Sequence, residues 1–150
     1  MTGRRAFLAG GAAFLLLPVP ASLAARGGSA VVTGDALGPV NAYRRAKGRG
    51  PLVADAALSR AALDQASRMA ASGKLSHARF RQRMAENGVP SPAAENIAFG
   101  QPTVASVVEA WIGSRGHRAN ILGGYNRLGV AVARDSASGN RPYWAMVLSV

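Results

Sequence analysis

The chain closes on a segment that is apolar at every position, Tyr143-Trp144-Ala145-Met146-Val147-Leu148. Successive residues of a strand point to opposite faces of a sheet. A run that is apolar on both faces is too greasy for an exposed edge, and it belongs in the middle of a covered sheet. Just before it, Leu128-Gly129-Val130-Ala131-Val132-Ala133 alternates in side-chain size. The polar stretch Asp135 to Pro142 joins the two as a hairpin. These strands must be paired and covered by the residues that precede them.

Those preceding residues are mostly helical. A short helix is predicted over Ala36 to Ala46, its start delayed by Gly38-Pro39, with Val40, Tyr43 and Ala46 at helical spacing and Arg44, Arg45 and Lys47 facing water. Asp55 reads as the N-cap of a longer helix to Ser72, ended by Gly73. Its inner stripe is Leu58, Ala62, Gln65, Ala66 and Met69, and its many alanines favour both helix and close packing on a sheet. A third helix is expected from Phe80 to Asn87, stopped by Gly88 and Pro90, and a fourth begins after a Thr103 cap and runs through Val107, Val108 and Trp111. Glu95 to Phe99 reads as a short strand or extended segment. Helices early and strands late indicate an α+β fold, with a mainly antiparallel central sheet covered by helices.

The N-terminal residues 1–24 read as an export signal, with Arg4-Arg5, an apolar stretch from Ala6 to Leu17, and small residues Ser22 and Ala24 before a cleavage point. Arg4-Arg5-Ala6-Phe7-Leu8 is twin-arginine-like, with an ordinary secretory signal or an uncleaved anchor as alternatives. Residues 25–34 read as a small, Gly-rich linker, and 35–150 as a single domain. The expected location is therefore periplasmic or extracellular. The absence of cysteine excludes a lipoprotein anchor, a disulfide framework, a thiol nucleophile and a cysteine-ligated zinc site. The formal charge is +11, and the first 24 residues hold two arginines and no acid, which leaves +9. Outside the cytoplasm such a surface suits anionic envelope polymers and lipid head groups and not nucleic acid; it also serves solubility alone.

The chain has only two histidines, His77 and His117, with Glu95 between them. Two imidazoles and a carboxylate can bind a divalent metal or move protons. They can equally form a hydrogen-bonded strut, with Glu95 bridging both rings. The cluster Arg79, Arg81 and Arg83 flanks His77 and is expected to spread positive potential over the mouth of a cleft.

Taken in order, Val40-Asn41-Ala42-Tyr43-Arg44, Pro51 to Leu58, Ser76-His77, Ala94-Glu95-Asn96-Ile97-Ala98, Trp111 to Leu122, and the closing strands resemble the CAP superfamily (cysteine-rich secretory proteins, antigen 5 and pathogenesis-related 1). The compact bacterial SCP domain is the variety most similar. The resemblance implies an α-β-α sandwich with a central cleft holding two histidines and two acids. His77, Glu95 and His117 fill three of those positions; the fourth is Ser114 here, with Glu109 two residues before Trp111 as the nearest replacement. Trp111 is expected in the core, and Asn96 and Asn120 in tight loops satisfying backbone groups.

The resemblance implies a module that binds a ligand or a metal, with Zn2+ or another divalent cation held by His77, His117 and Glu95. The expected partner is an anionic envelope component such as peptidoglycan, lipid or polysaccharide. The alternative is an envelope hydrolase acting on peptidoglycan, with Glu95 as general acid and His77 and His117 assisting. Sugar hydrolysis usually needs a second carboxylate, and a zinc peptidase usually shows a His-Glu-x-x-His helix, absent here.

Overall fold

A computed structural model describes residues 28–150. The export signal expected over residues 1–24 lies outside them. In chain order the elements are β1 (Gly28–Val31), α1 (Thr33–Ala46), β2 (Val53–Ala54), α2 (Ala56–Ser72), α3 (Phe80–Glu86), β3 (Ala93–Phe99), α4 (Val104–Gly113), α5 (Arg115–Ile121), β4 (Arg127–Arg134) and β5 (Tyr143–Ser149). The sheet runs β1-β4-β5-β3, and the two-residue β2 lies parallel to β4. All other pairings are antiparallel.

The strand β5 is the physical centre. It pairs with β4 on one side, Val130 opposite Met146, and with β3 on the other, Asn96 opposite the same Met146. Its side chains then sort by parity. Trp144, Met146 and Leu148 join a core with α1, α4 and α5, whereas Tyr143, Ala145 and Val147 join a second core with α2 and α3. One apolar run thus feeds both faces of an α-β-α sandwich, as its composition requires.

The two faces differ in side-chain size. Beneath α2 the sheet presents Gly129, Ala131, Ala133 and Ala145, and the helix answers with Ala61, Ala62, Ala66 and Ala70. Small residues on both surfaces let the backbones approach closely. At Gly129 the approach is so tight that a Cβ would lie 2.1 Å from the Leu58 carbonyl carbon. The helix itself is set by its ends. Asp55 accepts from the Ala57 and Leu58 N–H groups at 2.8 and 3.0 Å, and Gly73 closes it in the left-handed region at φ 69°.

Three expectations are corrected. Gly28–Val31 is no linker but an edge strand on β4, from Gly28 opposite Arg134 to Val31 opposite Ala131. Backbone pairing there demands little of the side chains, so small residues suffice. The first helix begins at Thr33, through Gly38-Pro39. A residue before proline is pushed out of the helical region partly by its own Cβ, which Gly38 lacks. Thr33 Oγ1 also accepts from the Val130 N–H at 2.9 Å, fixing the start of α1 to the sheet. Finally, Arg44 does not face water. It is buried, and its guanidinium donates to the carbonyls of Gly50, Ile121, Gly123 and Tyr125 at 2.6–3.1 Å. Burial, and then the charge of Arg49, hold its pKa below the ordinary arginine value.

The contact at Gly129 generates a test. Gly129→Ala overpacks two backbones that cannot yield like a flexible side chain, and should lower unfolding stability by about 3 kcal/mol or more. Gly116→Ala, on an exposed helical position with open space around its Cβ, should raise it by about 0.5–1 kcal/mol. Chemical denaturation of both variants checks the opposite signs.

Candidate functional site at the edge of the sheet

Strand β3 is the outer strand of the sheet beyond β5. Along it the side chains of Ala94 and Ala98 belong to the α4/α5 core, and that of Ile97 to the α2/α3 core. By the same alternation Glu95 points to the α2/α3 side and Asn96 to the α4/α5 side. The two histidines reach this edge from opposite layers, His77 from the loop between α2 and α3, His117 from α5.

Glu95 is 6% exposed. A carboxylate at that depth needs charged or hydrogen-bonding partners. Arg83, on α3 and 2% exposed, supplies them in a bidentate pair, Nη1 to Oε2 at 2.7 Å and Nη2 to Oε1 at 2.9 Å. His77 Nδ1 makes a third contact to Oε1 at 3.0 Å. His77 itself is exposed, and the loop that carries it is gripped on both sides. Gln65 donates to the Ser76 carbonyl, and Arg83 Nε donates to the Ala78 carbonyl at 3.0 Å. Arg83 is therefore not at the cleft mouth, as its neighbours in sequence suggest; Arg79 and Arg81 are exposed, and Arg79 pairs with Glu86 at 3.6 Å.

On the other side of β3, α5 is fastened by amides. Asn96 Nδ2 donates to the His117 carbonyl at 3.0 Å, and Asn120 Nδ2 donates to Asn96 Oδ1 at 2.8 Å. Asn120 also reaches the Glu95 carbonyl at 3.5 Å, and the Trp111 indole donates to the Ile97 carbonyl at 3.3 Å. Those carbonyls lie on the outer edge of β3, so side chains from α4 and α5 do the work of a missing neighbouring strand. Asn96 and Asn120 thus sit on a strand and a helix, not in tight loops. The helix α5 is an element the sequence pattern does not announce, because Gly113 and Gly116 frame its start.

The cleft formed here has a volume of about 370 Å³ and is lined by His77, Phe80, Ala93, Ala94, Glu95, Asn120 and Tyr125. A larger groove of about 680 Å³ runs beside it along α3 and the 89–93 segment, and Phe80 and Ala93 border both. Tyr125 is positioned indirectly by Arg44, which holds its carbonyl at 3.1 Å. His117 is half-buried and is not among the lining residues. Ser114 is the junction of α4 and α5, and Glu109 is exposed on α4 and does not line the cleft either. No hydrogen bond joins Glu95 to His117, so the expected bridge to both imidazoles is made to one.

A zinc ion held by His77, His117 and Glu95 does not fit this arrangement. Among the described residues no three His, Asp or Glu side chains stand close enough to share an ion. Both oxygens of Glu95 already face Arg83, so a metal bound there would lie against a buried cation.

Burial, and then the charge of His77, lower the pKa of His117 from its ordinary 6.5. A base whose folded pKa is depressed binds its proton more readily when unfolded, so stability falls as pH drops below about 6.5. Between pH 7.5 and 5.5 the wild type should lose more melting temperature than His117→Gln, which cannot take up that proton. Equal losses in paired thermal melts would remove His117 from the acid response.

Comparison with known proteins agrees with this fold. The CAP family model (cysteine-rich secretory protein family) matches residues 37–148. The uncharacterized protein YkwD of Bacillus subtilis (strain 168) is 36% identical over 104 residues, which cover 65% of this chain and 40% of that one. The chain thus spans well under half the length of this relative. An extracellular protein containing an SCP domain from Bacillus anthracis superposes with a TM-score of 0.68 at 20% identity, over 78% of this chain and 39% of that one. An outer surface protein from Borrelia burgdorferi gives 0.69 at 17% identity, over 82% and 97% of the two chains. At these identities the solved structures speak for the fold, and the sequence match speaks for kinship: cysteine-free though it is, the chain belongs to the CAP (cysteine-rich secretory protein) family.

Proposed function

We propose that this protein is an exported binding module of the cell envelope, which takes an anionic envelope component into the cleft beside β3. The observation that carries this reading is the state of Glu95. Its oxygens accept two hydrogen bonds from Arg83 and one contact from His77. Serving as a general acid would neutralise the carboxylate that the buried guanidinium faces, and the ion pair would lose its counter-charge. The second carboxylate that glycan hydrolysis usually uses is also missing from the cleft lining. The fixed geometry therefore weighs against the peptidoglycan hydrolase and in favour of recognition.

The groups left to meet a ligand are the exposed edge of His77, the Tyr125 side chain and the Phe80 ring. The adjoining groove adds Met84, Val89 and two prolines, so a ligand with a polar end and an apolar stretch can lie across both. Positive charge is close at hand. Arg45 in the last turn of α1 and Lys47 and Arg49 just after it are exposed, and Arg44 ties this segment to the loop carrying Tyr125. An anionic partner would be steered there, more strongly at low salt. Export is supported by the signal-like residues 1–24 and by relatives described as extracellular or outer surface proteins.

Co-sedimentation with purified peptidoglycan, with anionic polysaccharide and with anionic against neutral lipid vesicles tests the reading. Binding to one anionic class should fall roughly two- to tenfold in His77→Ala and in Tyr125→Ala, the worth of one or two hydrogen bonds. Unchanged binding in both, with loss in an Arg45/Lys47/Arg49→Gln variant, would move the interaction to the basic surface. Release of soluble glycan fragments by the wild type and not by Glu95→Gln would put the hydrolase in its place.

A further inference from the structure

We propose that Arg83 is the resident cation of this site: its guanidinium holds Glu95 in the place a divalent ion would need, and through Glu95 and the Ala78 carbonyl it fixes the aim and the tautomer of His77. This goes beyond the binding reading and holds whether or not a ligand is bound.

Each N–H direction of the Arg83 guanidinium that faces the site is used. Nη1 and Nη2 take the two oxygens of Glu95, and Nε takes the main chain of the His77 loop one residue on. The side chains of the pair are 3% and 1% exposed, so water does not compete for either partner. A planar fork suits a carboxylate in this way, and a lysine at the same position could not make all three bonds. Two consequences follow. A carboxylate acting only as acceptor requires the facing His77 Nδ1 to carry a proton, which in the neutral ring leaves Nε2 as a lone pair directed away from Glu95. Ligation of a metal by Glu95 would strip the guanidinium of its counter-charge inside the protein, a costly rearrangement. Arg83 is thus a positioning residue for His77, by way of Glu95 and by way of the loop.

The test is the 15N signature of the His77 ring in uniformly labelled protein above about pH 8, where an ordinary imidazole is neutral. His77→Gln assigns the resonances. The wild type should show a protonated Nδ1 and a bare Nε2. Arg83→Lys, which keeps the charge, and Arg83→Met, which does not, should both move the two shifts toward the averaged values of a free imidazole. If Arg83→Met fails to fold, Arg83→Lys carries the comparison. A wild type that shows the opposite tautomer, or folded variants with unchanged shifts, would overturn the proposal.

Discussion

A carboxylate buried in an apolar core is costly unless a cation meets it in good geometry. Glu95 meets that demand through Arg83, and much of the local architecture follows from the pairing. The short helix α3 must dock where its one buried arginine can reach β3. The loop before it is then drawn in by the Ala78 carbonyl and by Gln65 from α2, which leaves His77 with little freedom. An exposed histidine on a short connection becomes a fixed wall of the cleft. Stability and presentation of the site are in this sense one problem, solved by one guanidinium.

The opposite layer solves a different problem, the open edge of β3. Exposed strand edges invite pairing with other chains, and here Trp111, Asn96 and Asn120 close the edge with side-chain hydrogen bonds. The motif from Trp111 to Leu122 is therefore largely a seal. It brings His117 to the site's rim by its backbone, while its ring is half-buried and outside the cleft lining. Arg44 performs the same service one step further out, with four main-chain carbonyls around a buried guanidinium and none from a carboxylate. Three polar side chains and two arginines thus join segments far apart in sequence, and the apolar cores need supply only cohesion.

The sequence makes legible whatever is encoded by period and punctuation. β5 is readable as a central strand because its apolar residues fill both parities, and α2 because Asp55 and Gly73 bracket an alanine-rich amphipathic run. The sandwich and the CAP kinship are readable from the order of the motifs. What escapes depends on long-range pairing or on main-chain geometry. β1 is held by backbone bonds to β4, which small residues do not advertise. Arg44 and Arg83 look like solvated cations among many, since nothing local marks an arginine whose partners lie on other elements. For Arg83 one signal is available: Glu95 sits in an apolar strand, and a strand of that character must receive a cation from somewhere. Similarly, His117 and Glu95 look like partners in sequence, yet strand alternation sends Glu95 and α5 to opposite faces.

The buried Arg83–Glu95 ion pair organises this cleft. A double-mutant cycle on Arg83 and Glu95, read by chemical denaturation, tests it most directly. Arg83→Met and Glu95→Leu should each cost about 3–5 kcal/mol, because each strands a buried charge. The double variant, with both charges gone, should lose less than the sum of the two by about 2 kcal/mol or more. Losses that simply add would show that the two side chains act independently and that the ion pair does not hold the site together.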